Sequence, residues 1–176
     1  LYKEIWQLRP FFLSLEAKSN TMEDPITLTS VAAFHRTFKH PILDEPGIPN
    51  EQRCKLRVSL IAEELKELEE AIKNKDIVEI ADALCDIQYV LSGAILEFGL
   101  ANKFKVLFDE VQRSNMSKAC KSKEEAEATI RHYNERGVDC FYEQQGEEYL
   151  VYRTDDHKTL KSVNYSPADL ASILYG

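Results

Sequence analysis

Residues 59–86 read SLIAEELKELEEAIKNKDIVEIADALCD, and this stretch decides the fold. Leu60 or Ile61, Leu65, Leu68 and Ile72 recur at three- and four-residue spacing, the period of an α-helix with one apolar stripe. Asn50 is placed to cap that helix, which is predicted to run to about Asn74. Asn74-Lys75-Asp76 breaks the pattern, and a second long helix is predicted over about 77–98, ended by Gly99. Its apolar residues, Ile77, Ile80, Ala81, Leu84, Cys85, Ile87, Leu91 and Ile95, cover more than one face, which predicts a central place in a bundle. So short a connection makes the two helices antiparallel neighbours.

The same stretch carries the chemistry. Helical residues three or four apart share a face, so Glu64 and Glu67 present their carboxylates together, with Glu63 one turn before Glu67. Glu79 and Asp82 repeat the arrangement on the next helix, and Asp86 follows a turn later. Glu69 and Glu70, with Lys66 and Lys73 near them, read as a solvated face. The others do not, because no Lys or Arg occurs from Asp76 through Asn102 and the segment is the most apolar of the chain. Unpaired carboxylates in such a setting repel one another and cost free energy unless something positive sits among them. A hard divalent cation, Mg²⁺ or Mn²⁺, meets that need with oxygen ligands. Softer metals fit less well, since no His lies between His40 and His132 and Cys85 is isolated. A di-iron centre would call for Glu-x-x-His pairs, which are absent.

Outward from this pair, Pro41, Pro46, Gly47 and Pro49 mark a loop. Before it, Thr29 or Ser30 is expected to cap a short helix carrying Val31, Phe34, His35 and Phe38, with both phenylalanines read as core. After Gly99 a third helix is predicted from about Asn102 to Lys118. A capping box, Ser122-Lys123-Glu124-Glu125, opens a fourth that Gly137 ends. Asp139–Glu143, Glu148–Arg153 and Thr159–Val163 are rich in aromatic and β-branched residues and predict a small β-meander. Ser166-Pro167-Ala168-Asp169 supplies an N-cap, a first-turn proline and an acid for a last short helix. The fold class is therefore mainly α: an antiparallel helical bundle with a small C-terminal β-meander. Residues 22–137 are expected to form the helical domain and 138–176 to pack on it. Residues 1–21, before Met22, are expected to be an extension.

The 22 Lys and Arg against 30 Asp and Glu give a net charge of −8, which argues against nucleic acid or an anionic membrane as partner. No stretch reaches the roughly 20 apolar residues of a membrane span. The four cysteines include no C-x-x-C pair, Cys85 reads as a small core residue, and a reducing, cytoplasmic setting is expected.

Glu64-x-x-Glu67 followed by Glu79-x-x-Asp82 resembles the E-x-x-E…E-x-x-D signature of the all-α NTP pyrophosphohydrolases. These are the MazG-like enzymes, the dimeric dUTPases and the phosphoribosyl-ATP pyrophosphohydrolases. The doubled Glu63-Glu64, Phe34-His35-x-x-Phe38 and Phe108-Asp109-Glu110-Val111 leading into Ser114-Asn115-Met116-Ser117-Lys118 resemble the MazG-like dUTPase branch, over about residues 27–120. The resemblance implies that Glu64, Glu67, Glu79 and Asp82 hold Mg²⁺, for which Mn²⁺ can substitute, against a nucleoside triphosphate. It implies that Glu63 is the general base, and that the products are a monophosphate and pyrophosphate. It also implies a homodimer or homotetramer with the site near a subunit interface. Asn115, Lys118, Asp86 and His35 are the further candidates for substrate contacts. Phosphoribosyl-ATP hydrolysis and a non-catalytic module that binds metal or a partner are the alternatives.

Overall fold

The computed structural model describes residues 23–176. The expected extension lies outside the described residues, whose helices are α1 (Thr27–Phe38), α2 (Glu51–Asn74), α3 (Ile77–Glu97), α4 (Phe104–Met116), α5 (Lys123–Asn134) and α6 (Leu170–Tyr175). Strands β1 (Cys140–Gln145) and β2 (Glu148–Arg153) lie between α5 and α6. No helix among the described residues is long and apolar enough to cross a membrane.

The local signals act where the sequence places them. The Asn50 side chain accepts from the Arg53 N–H and starts α2. Lys75, in the left-handed region, ends it, and the Asp76 carboxylate accepts from Val78 and Glu79 to start α3. In this way a two-residue joint reverses the chain, and α2 and α3 pack side by side with α1 against α3. Val31, Ala32 and Leu96 form the core there. The proline loop returns over the end of α3, where the Leu43 and Gly47 N–H groups donate to the Leu96 and Phe98 carbonyls. Gly99, at φ 67°, lies against the Glu45 carbonyl so closely that no Cβ would fit.

A second core gathers Cys120, Ala126, Val151 and Leu160 beneath α5 and the hairpin, which pairs Cys140 with Arg153 through Gln145 with Glu148. The third meander segment is reduced to one bridge, Tyr152 with Thr159. Its next residues turn away because Ser162 and Val163 are hydrogen-bonded to Glu125 and Thr129 of α5. The tail then runs along α4, where Tyr165 Oη meets Ser114 Oγ at 2.9 Å.

Several expectations change. The α1 cap residue is Ile26, with no side-chain bond, because the helix begins at Thr27, before Thr29 and Ser30. Asp169 is itself the cap of α6, accepting from Ser172, which places Pro167 outside the helix. The capping box of α5 is displaced: Ser122 bonds the Glu125 N–H, while the Glu125 carboxylate reaches back to the Lys121 N–H. Cys85 is exposed rather than core, as are Leu84, Ile77 and Val78, so α3 is not enclosed within one chain. Phe34 and Phe38 are exposed at the edge of α1, their rings tilted by 38° with centroids 4.4 Å apart.

Candidate functional site

The antiparallel packing of α2 on α3 puts the predicted acids on one side of the pair. Burial pushes the Glu64 carboxyl above the usual carboxylate range, and the charges of Asp86, Glu67, Glu63 and Asp82 push it further. The structure thus brings five of the six acids into one electrostatic neighbourhood centred on Glu64; Glu79 is not among the charges acting there. Glu64 and Asp86 are half-buried, whereas Glu63, Glu67, Glu79 and Asp82 are exposed, so the expected apolar enclosure of the cluster is not found in a single chain.

Nor do these oxygens converge. Among the described residues no three His, Cys, Asp or Glu side chains stand close enough together to hold a metal ion. Mutual repulsion and the rotamer freedom of exposed Glu side chains account for that spread. The donor set nevertheless suits a hard cation, since it is all carboxylate oxygen. Among the described residues, no ion pair or side-chain hydrogen bond engages any of the six carboxylates.

One turn along from these acids a cavity of about 230 Å³ opens between α1, α2 and α3. Leu60 and Val90 line it, four residues from Glu64 and Asp86 on their respective helices. A turn rises about 5.4 Å, so the edge of the cavity lies about one helical turn from Glu64 and Asp86. At its far side Glu97 is fully buried and accepts from two guanidiniums. Arg53 Nε donates to Oε2 at 3.0 Å, and Arg53 Nη2 and Arg57 Nη2 both donate to Oε1. Burial alone would raise the Glu97 carboxyl, but those bonds outweigh it and hold it below its ordinary range.

His35, 2% exposed, completes the group. Its Nδ1 is 2.9 Å from the Pro41 carbonyl, an atom that can only accept, so Nδ1 carries the proton. Nε2 then presents a lone pair to Arg57 Nη2 at 3.4 Å. Burial, the largest effect, holds the imidazole below its usual value and so favours the neutral ring.

Residues 31–115, which contain every one of these groups, match the phosphoribosyl-ATP pyrophosphohydrolase family. That stretch is a domain of the all-α NTP pyrophosphohydrolase superfamily. The chain is also similar to an uncharacterized protein of Acanthamoeba polyphaga mimivirus, 36% identical over 97 residues, which cover 51% of this chain and 37% of that protein. The chain thus matches well under half of that relative's length.

Asn115, the last residue of the pyrophosphohydrolase domain match, bonds Lys118 Nζ through its Oδ1 at 2.8 Å at the end of α4. Neither side chain is hydrogen-bonded or ion-paired to the acids among the described residues. Sequence reading missed Arg53, Arg57 and Glu97. One signal was present: Glu97 is the only charged residue between Asp86 and Lys103, in an apolar run where a lone carboxylate needs a partner.

Proposed function

We propose that this protein hydrolyses nucleoside triphosphates, dUTP or another non-canonical nucleotide among them, to the monophosphate and pyrophosphate with Mg²⁺ or Mn²⁺. The observation that carries the reading is the unpaired carboxylate group around Glu64, one turn from a cavity backed by Arg53 and Arg57. Glu64, Glu67, Glu79 and Asp82 would hold the cation, with Asp86 beside Glu64. The ion would neutralise charge on the phosphoryl oxygens and the leaving group. Glu63 takes a proton from the attacking water. The water oxygen forms the new P–O bond, and the anhydride bond between the α- and β-phosphates breaks, leaving the monophosphate and pyrophosphate. Asn115 and Lys118 contact the substrate where α4 meets it in the assembly.

A second copy of the chain covers the apolar outer face of α3, giving a homodimer or homotetramer. Leu84, 51% exposed, and Ile77, 74% exposed, support this, because such area seldom stays in water beside a functional cluster. Enclosure by the second copy also explains how exposed acids acquire the dry surroundings that strengthen metal and phosphate contacts.

The match to phosphoribosyl-ATP pyrophosphohydrolases favours one second reading, hydrolysis of phosphoribosyl-ATP. One experiment addresses both. Protein with Mg²⁺ is incubated with canonical and modified nucleoside triphosphates and with phosphoribosyl-ATP, and pyrophosphate and orthophosphate are scored separately. Pyrophosphate release from a triphosphate is expected. Turnover of phosphoribosyl-ATP alone would favour the second reading, and no turnover by folded protein would refute both.

A further inference from the structure

Neither buried core includes a residue of α4, and Leu107 is the one apolar side chain of that helix that is buried. Phe108 and Met116 stand exposed, and the short α6 is the element packed most closely on it. Apolar burial therefore does little to set where the end of α4 points, although Asn115 and Lys118 sit there.

Directional bonds from residues 162–169 set it instead. Tyr165 Oη bonds Ser114 Oγ, and Ser114 is 4% exposed. The Ser166 N–H donates to Ser117 Oγ at 3.0 Å, and that hydroxyl donates to the Ser114 carbonyl at 2.7 Å. The Ser162 N–H donates to the Lys118 carbonyl at 3.2 Å. One turn earlier the Asp169 N–H donates to Glu110 Oε1 at 2.8 Å. Glu110, Ser114 and Ser117 recur at four- and three-residue spacing, so the tail holds a single stripe of the helix. Asn115 and Lys118 stand on the adjoining stripe, joined by their own bond. The Tyr165 ring is itself held, with Lys161 Nζ 4.3 Å from its centroid.

Hydrogen bonds add modest net stability but are strict about geometry. A tie made of them, on the helix face next to two substrate contacts, orients more than it stabilises. We infer that Tyr165 is a positioning residue: through Ser114 it fixes the last turn of α4, so that Asn115 and Lys118 meet the triphosphate as one unit. This rests on the substrate role proposed above for those two residues. Tyr165 lies well beyond the matched domain, which ends at Asn115.

The test is a double-mutant cycle in the full chain, read with Mg²⁺ on a triphosphate that the wild type hydrolyses. Tyr165→Phe removes one oxygen and keeps the ring. Since a misplacement of about 1 Å can cost on the order of 10²-fold, a slackened α4 is expected to raise KM about tenfold. The change in kcat is expected to stay within about twofold, as for a lost binding contact. The helical circular-dichroism spectrum and the Mg²⁺-induced rise in melting temperature are expected to persist. Ser117→Ala, which cuts the neighbouring tie, should repeat the rise in KM and covers the case of a poorly folded Tyr165→Phe. Asn115→Ala with Lys118→Ala should also raise KM. In that double variant Tyr165→Phe should add almost nothing, because it acts through contacts already removed; a merely structural role gives the same factor in both backgrounds. An equal factor in both backgrounds would overturn the positioning role and leave the hydrolase reading intact. So would an unchanged KM in Tyr165→Phe and Ser117→Ala while the Asn115 and Lys118 changes raise it. An unchanged KM on loss of Asn115 and Lys118, or a folded wild type without turnover, would remove the substrate role of α4 and the inference with it.

Discussion

Gly93 lies directly beneath the Arg57 guanidinium: a Cβ on residue 93 would stand 2.6 Å from Arg57 Nη1 and 3.1 Å from His35 Nε2. Glycine inside a helix ordinarily costs about 0.5–1 kcal/mol relative to alanine, and what offsets that cost here is the room it gives. An arginine tip on the surface would swing aside. This one is tied to the fully buried Glu97 and has nowhere to go. Gly93→Ala is therefore expected to lose stability, by about 1–3 kcal/mol as overpacked interiors do, despite the gain in helix propensity. Urea unfolding of the two proteins measures it, and a more stable variant would show that Arg57 moves freely.

The Arg53–Glu97–Arg57 group predicts an acid-side dependence of stability. Burial raises the Glu97 carboxyl, the two guanidiniums lower it more, and the folded value ends below the unfolded one. A depressed carboxyl contributes fully above its unfolded value, near 4.3, and the contribution is lost as pH falls through the folded value. His35 acts with the same sign at higher pH. Its value is lowered, chiefly by burial, so its contribution is complete above about 6.5 and declines as pH falls toward the folded value. Glu97→Gln leaves two cations without their counter-charge and is expected to cost about 3 kcal/mol at neutral pH. The gap between wild type and variant narrows on acidification below about pH 4, where wild-type Glu97 also loses its charge. Unfolding at a series of pH values reads this, and a gap independent of pH would mean that Glu97 is not ionised in the native protein.

How much of this was legible follows from the range of each signal. The two ends of α2 were readable because Asn50 and the Asn74-Lys75-Asp76 joint act within four residues of themselves. The clustering of acids around Glu64 was readable because helical spacing and a short joint leave few ways to place them. The Glu97 group was not, since it joins α2 to α3 across 40 and 44 residues of chain. Periodicity gave α3 several apolar faces but not what would cover them. Cys85 and Leu84 therefore read as core and stand exposed in one chain. The third strand failed because Ser162 and Val163 found hydrogen-bond partners on α5 instead of β2.

That exposed face gives a prediction about assembly. Leu84 stands 51% exposed between Asp82 and Asp86, so a charge there would disrupt a covering subunit without touching the single chain's core. Leu84→Lys is expected to shift the protein toward monomer in sedimentation velocity, with an unchanged helical circular-dichroism spectrum and a large loss of turnover. A wild-type protein that sediments as a monomer at every concentration would remove the second copy from the site.

The acids separate binding from chemistry. Glu64 carries a raised carboxyl, so the metal-free chain gives up stability as pH rises from the unfolded glutamate value through the raised folded one. Among these acids the repulsion falls on Glu64, which is half-buried with a raised carboxyl, whereas Glu79 and Asp82 stand exposed. Glu64→Gln is accordingly expected to raise the metal-free melting temperature while lowering Mg²⁺ affinity at least tenfold. Added Mg²⁺ should stabilise the wild type by about 2.7 kcal/mol at one hundred times its Kd, and chelation should reverse this. Asp82→Asn should likewise weaken metal binding and abolish turnover. Glu63→Gln should keep the Mg²⁺-induced rise in melting temperature and lose about 10²–10⁴-fold in kcat, the usual worth of a positioned base. Full activity in Glu63→Gln would assign the water's proton to another group, and equal loss of metal binding would make Glu63 a ligand.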